Sequence, residues 1–175
     1  EIDLIEEIAR INGYDKVAPT LPSKMQTPVI TLEERVIKKV HELMLSAGLN
    51  EIVTSSLIGK SLLDKFMIPY DDAKAVKVLK PVSEESTMLR QTLAANLLNC
   101  MKSNYDNGQK TFWAYEIGKT YTIENVSDEK NTGVKETRVL AGILTGEVEN
   151  SKWQVKTASD FFTVKGIVES LFNEL

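Results

Sequence analysis

Leu4, Ile5, Ile8 and Ile11 recur at helical spacing, and Gly13 stands where a helix C-cap belongs, so the chain opens on a short helix. The stretch from Ala18 to Pro28 carries Pro19, Pro22 and Pro28, which remove amide donors and disfavour helix before them. It reads as an extended linker over 18–30. Thr31-Leu32-Glu33-Glu34 has the form of a capping box, and Val36, Val40, Leu43 and Ala47 line one helix face up to Gly48, with Ile37 and Met44 beside them. The β-branched run Glu51–Leu57 predicts a strand, 61–67 a short helix, and Ala75–Leu79 a strand ended by Pro81. Leu89, Leu93, Leu97, Leu98 and Met101 predict a helix over 84–103, and Asn107-Gly108 a turn. Phe112–Tyr121 and Val139–Leu144 predict strands, with a polar hairpin loop at Asn125–Glu136 between them. Phe161, Val164, Val168, Leu171 and Phe172 predict a last helix over 160–175. Strands joined by helices and by a hairpin give an α+β class with a largely antiparallel sheet.

Composition narrows the function. The 175 residues are 42% hydrophobic and 26% charged, enough for one sizeable core and too few for two full domains. The net charge of −4 and a pI near 5.2 argue against a nucleic-acid clamp, which works through excess cations. One cysteine, Cys100, excludes an internal disulfide and a multi-cysteine zinc site, and one histidine, His41, excludes a multi-histidine centre. No apolar run reaches the ~20 residues of a membrane-spanning helix, and the lone thiol fits a cytoplasmic location. The start at Glu1 and the helical end predict a piece excised from a longer protein.

Asp3, Glu6 and Glu7 stand at i, i+3 and i+4, so their carboxylates share a helix face. Clustered hard oxygens suit Mg²⁺, whereas acidic residues in a first turn also simply complement the helix dipole. His41 lies among Lys38, Lys39 and Glu42 with no nucleophile beside it and reads as solvated or at an interface edge. Trp113, Tyr115 and Tyr121 read as sheet packing rather than a base-stacking surface, because no basic stripe accompanies them. Lys102 reads as a helix-face charge, Arg90 as a surface or interfacial ion-pair partner in preference to a ligand contact, and Gly142 as either a close backbone approach or a weak point in its strand.

Four segments are far more specific than their spacing. Asp3-Leu4-Ile5-Glu6-Glu7-Ile8-Ala9-Arg10-Ile11-Asn12-Gly13-Tyr14-Asp15 resembles the signature closing the small domain before the synthetase-like core in the β chains of phenylalanine–tRNA ligases. Val76–Arg90 is similar to that family's core segment, in which a strand ends in Asn-Pro and leads to Ser-Glu and Leu-Arg, with Lys80 here replacing the Asn. Phe112–Tyr121 resembles its F-E-I-G-R-V-F strand, and Asp160–Glu169 its D-F-F-D-L-K-G-x-V-E helix. Together they span residues 3–169.

The resemblance implies a class II aminoacyl-tRNA synthetase-like core, an antiparallel sheet flanked by helices and possibly lacking its last strands. On it, 1–17 is the final helix of a preceding small domain, 18–30 a linker, and 31–175 a truncated catalytic-like core without catalytic residues of its own. It implies an α₂β₂ heterotetramer with a catalytic α subunit that uses ATP and Mg²⁺ to join phenylalanine to tRNA. It places an Mg²⁺ site on Asp3, Glu6 and Glu7 with a further aspartate before Glu1, so the site is expected to be weak or absent within this chain. In the family's active chains an arginine on the second-motif strand pair holds the ATP α-phosphate; its counterpart here is Thr122, which has no charge. The first motif, a helix plus a strand, builds the subunit interface, and residues 31–57 match it in order. Val36, Ile37, Val40 and Met44 are the expected interface residues. An active class II ligase domain and a free-standing tRNA-binding or assembly module are the alternative readings; membrane and DNA partners are not expected.

Overall fold

In the computed structural model, which describes residues 1–21, 23, 29–124, 132–149 and 156–175, the longest regular feature is an antiparallel ribbon. Strands β4 (Phe112–Ile123) and β5 (Val134–Thr145) pair along their full lengths, from Phe112 opposite Thr145 to Ile123 opposite Val134. Strand β1 (Asn50–Glu51) joins the other edge of β4 and runs parallel to it, giving the order β1-β4-β5. The main sheet is therefore largely antiparallel, as its patterning predicts, with β1 adding a short parallel edge that makes it mixed. Gly48, at φ 87°, ends the helix before β1, and the chain then enters the sheet in the direction of β4.

Alternation along the ribbon sorts its faces. Trp113, Tyr115 and Ile117, with Leu140 and Leu144 across from them, meet helices α2 (Leu32–Ser46) and α5 (Phe161–Glu174). Val40, Met44, Leu49, Tyr115 and Leu171 are the buried centre of that core, each such burial contributing roughly 1.5–3 kcal/mol. Asp160 caps α5 reciprocally: its carboxylate accepts from the Thr163 amide at 2.9 Å, and the Thr163 hydroxyl lies 3.3 Å from the Asp160 amide.

A second core joins α3 (Lys60–Lys65), α4 (Ala94–Asp106) and the short antiparallel pair β2 (Leu57–Ile58) and β3 (Met88–Leu89). Its buried residues are Ile58, Leu63, Ala75, Met88 and Ala95. The structure differs from three expectations here. The strand over 51–57 breaks after Glu51, because the chain leaves β4 to reach β3. The expected strand over 75–79 is reduced to one bridge, Lys77 to Met88. The helix over 84–103 starts only at Ala94, since Leu89 pairs with Leu57 in a strand. A hairpin of β6 (Glu147–Glu149) and β7 (Lys156–Ala158) was not anticipated. The loop expected at 125–136 lies outside the described residues up to 131, and from Val134 onward it is strand. The linker expected at 18–30 lies outside them at 22 and 24–28.

The chain divides into two units, Glu1–Leu32 and Glu33–Leu175. The first contains α1 (Ile2–Asn12), closed by Gly13 at φ 94° and followed by a 3₁₀ turn at Tyr14–Lys16. None of its helical residues is buried within the unit.

Candidate functional site

The ribbon face opposite α2 and α5 carries Ala114, Glu116, Gly118, Thr120 and Thr122, paired with Ile143, Ala141, Val139, Thr137 and Lys135. A carboxylate in the middle of an aromatic strand needs a partner, and Glu116 has one. Its Oε1 accepts from Arg90 Nη1 at 2.8 Å, and the side chains are only 2% and 3% exposed. The sequence expectation of a surface or interfacial role for Arg90 is therefore corrected to a core ion pair. Thr54 completes the arrangement. Its hydroxyl donates to Glu116 Oε2 at 2.6 Å and lies 2.8 Å from Arg90 Nη1, while its amide lies 3.4 Å from Glu116 Oε1. Arg90 Nε also donates to the Lys119 carbonyl at 3.0 Å. The Arg90 backbone amide donates to Ser56, and its carbonyl accepts from Tyr121, both at 2.9 Å. One residue thus ties the ribbon to the 54–56 crossing between the two sheets.

Gly118 makes room for the guanidinium: a Cβ there would stand 2.4 Å from Arg90 Nη2 and 2.9 Å from Leu93 Cδ2. Gly142 does nothing comparable. A Cβ on it would meet Ala114 and Leu49 at 3.6 Å, an ordinary contact.

The other cations of the ribbon are also matched. Lys119 binds Glu136 at 2.5 Å, Lys135 binds Glu124 at 2.8 Å, and Arg138 binds Glu33 at 3.0 Å. Hydrogen bonds to Glu136 and Glu124 raise the pKa of Lys119 and Lys135 respectively and hold both charged. Thr122 sits among Lys74, Glu124, Lys135 and Thr137 in an open hollow, and it adds no charge.

On the helix-covered face, His41 Nδ1 lies 2.9 Å from the Tyr115 hydroxyl and 3.5 Å from Glu51 Oε2, with the two rings edge to face. Burial, and secondarily the Glu51 charge, push the Tyr115 pKa up, so the phenol stays protonated. His41 is a link between α2 and the sheet rather than a solvated residue. Cys100 is a free thiol in a groove of about 670 Å³ between α3 and α4, lined by polar Ser61, Asn96 and Ser103 and by apolar Leu57 and Leu62.

The expected interface residues separate. Val40 and Met44 are 8% and 5% exposed and belong to the chain's own core, which corrects their assignment to a partner surface. Residue spacing of four along α2 turns them onto the sheet. Val36 is 42% exposed, and Ile37 is half-buried. The edge segment beyond β1 adds an exposed residue that sequence reading passed over: Val53, at 87%. Asp3, Glu6 and Glu7 lie on α1, and Glu7 is taken up by Arg10, whose Nη2 approaches it to 2.5 Å. Among the described residues no three acidic, histidine or cysteine side chains converge as metal ligands. Mg²⁺ asks for near-octahedral oxygen ligation, which the carboxylates of α1 do not supply by themselves among the described residues.

The family model for the phenylalanyl-tRNA synthetase β chain CLM domain matches residues 17–175. The chain belongs to that family. Curated β subunits of phenylalanine–tRNA ligase agree: one from Prochlorococcus marinus is 35% identical over 178 residues, covering 100% of this chain and 20% of that protein. One from Staphylococcus epidermidis is 35% identical over 176 residues, 99% of this chain and 21% of that protein. One from Geobacter metallireducens is 32% identical over 178 residues, 99% and 22%. The chain thus spans about one-fifth of the length of these relatives. Among solved structures, a pyrrolysyl-tRNA synthetase from Desulfitobacterium hafniense superposes with a TM-score of 0.54 at 16% identity, over 81% of this chain and 43% of that one. That likeness shows the fold, a class II synthetase-like arrangement. No helix among the described residues is long and apolar enough to cross a membrane.

Proposed function

We propose that this chain is the catalytic-like core of a phenylalanine–tRNA ligase β subunit and does no chemistry itself. On this reading it supports the ATP-dependent joining of phenylalanine to tRNA by assembling with a catalytic α subunit in a cytoplasmic α₂β₂ enzyme. ATP acts at the α subunit, an Mg²⁺ on the helix of Asp3, Glu6 and Glu7 would need a further ligand from the full β subunit, and tRNA is met by the assembled enzyme.

The observation that carries this reading is the pairing of charge on the ribbon. Binding a triphosphate takes cations with free hydrogen-bonding capacity directed at the developing charge. Arg90, Lys119, Lys135 and Arg138 each hold a carboxylate instead. Thr122 stands where the family's active chains carry the phosphate-binding arginine. The same pairing, with the net charge of −4, disfavours a free-standing tRNA-binding module. The surface available for assembly is the outer side of α2 at Val36, half-buried Ile37, and the edge segment at Val53. Calorimetric titration with Mg·ATP tests the inert part of the reading: no saturable heat is expected. Binding in the micromolar range, about −8 kcal/mol, would overturn it.

A further inference from the structure

The Arg90–Glu116 contact has the parts of a ligand site. A guanidinium at 3% exposure, the Thr54 hydroxyl and the Thr54 amide all face the two oxygens of one carboxylate, at 2.8, 2.6 and 3.4 Å. The donors are fixed independently of that carboxylate. Arg90 is held by the Lys119 carbonyl through Nε and by the Ser56 carbonyl through its own backbone amide. The missing side chain of Gly118 leaves the space for the guanidinium. Preorganised, desolvated donors of this kind bind carboxylates through charge-assisted hydrogen bonds.

We infer that Arg90, Thr54 and Gly118 form a carboxylate-binding cradle, and that Glu116 is its resident ligand. The site is built to receive a small carboxylate and is closed to free ones while Glu116 fills it. This inference does not depend on the proposed role in the ligase.

Chemical rescue tests it. Glu116→Ala removes a CH₂–COO⁻ group, which has the shape of acetate, and leaves Arg90 charged, buried and unpaired. Acetate is expected to raise the melting midpoint of Glu116→Ala saturably, by about 5 °C or more for a domain of this size. Wild type, and Glu116→Ala in acetamide or in sodium chloride of equal ionic strength, should not shift. A double variant, Arg90→Met with Glu116→Ala, should lose the acetate response. If Glu116→Ala does not fold alone, the same comparison is made on its refolding yield. Rescue by acetate and not by acetamide supports the cradle. No rescue, equal rescue by acetamide, or an acetate response that survives in the double variant would each overturn it.

Discussion

Replacing Gly118 by alanine adds one methyl group at a position where it must collide. The new Cβ would stand 2.4 Å from Arg90 Nη2, 2.9 Å from Leu93 Cδ2 and 3.0 Å from Glu116 Oε1. Arg90 cannot swing away freely, since it is 3% exposed and bound to the Lys119 carbonyl and to Thr54 as well as to Glu116. Overpacking a core by a methyl group typically costs about 1–3 kcal/mol. Pulling the guanidinium off its carboxylate approaches the penalty for breaking a buried pair, roughly 3–5 kcal/mol. A loss of about 2–4 kcal/mol is expected, or roughly 5–15 °C in melting temperature. Gly142→Ala in the facing strand is the internal control. Its Cβ meets nothing closer than 3.6 Å, and its backbone is one that other residues adopt. It should be neutral or stabilise by up to about 1 kcal/mol, through the less flexible unfolded chain. Urea unfolding followed by circular dichroism gives both values from midpoint and slope. The reasoning is refuted if Gly118→Ala unfolds within about 0.5 kcal/mol of wild type, or if Gly142→Ala proves the more damaging of the two.

Met44→Glu should prevent folding, because Met44 is a core residue at 5% exposure, whereas Val36→Glu should fold normally and weaken association with an α subunit; circular dichroism and sedimentation separate the outcomes. Tyr115→Phe removes the hydroxyl partner of His41 and should cost about 0.5–1.5 kcal/mol in urea unfolding. Hydrogen bonds from Thr163 depress the Asp160 pKa below its ordinary 3.8, so the cap contributes stability above that value and loses it as pH falls through the lower folded value. Asp160→Ala should therefore destabilise at pH 7 and flatten the acid limb of the stability profile; an unchanged limb would show that the carboxylate cap does not contribute. Thr122→Arg alone should not confer ATP binding, since Glu124 and Lys135 already occupy its surroundings in pairs, and a measurable calorimetric signal from that single change would contradict this.

Much of this fold was legible in periodicity. The helix at Leu4–Ile11, the helix ending at Gly48, the aromatic strand from Phe112 and the closing helix from Phe161 all stand where spacing put them. The errors have a common physical origin. Leu89, Leu93 and Leu97 lie four apart, so they mimic a helical stripe, yet Leu89 is spent in a strand pair and only the last of the three lies within α4. Alternation at Ala75–Leu79 marks an extended segment but does not supply a neighbour to pair with beyond one bridge. Within α2, spacing showed a broad apolar face without showing which part meets the chain's own sheet; burial divides Met44 from Val36. The Arg90–Glu116 pair was the largest omission. Its signal was present: Glu116 stands between the apolar run Phe112–Tyr115 and Ile117, and a carboxylate there calls for a buried cation. The partner is 26 positions away in sequence, a distance that no local pattern spans.

The central claim is that this core assembles with a catalytic chain and performs no step itself. Sedimentation of the chain mixed with the phenylalanine–tRNA ligase α subunit of the same organism tests it most directly, with pyrophosphate exchange measured on the chain alone. The account predicts a saturable complex that Val36→Glu weakens, and no phenylalanine- and ATP-dependent exchange by the isolated chain. Exchange activity from the isolated chain, with no complex formed, would contradict it.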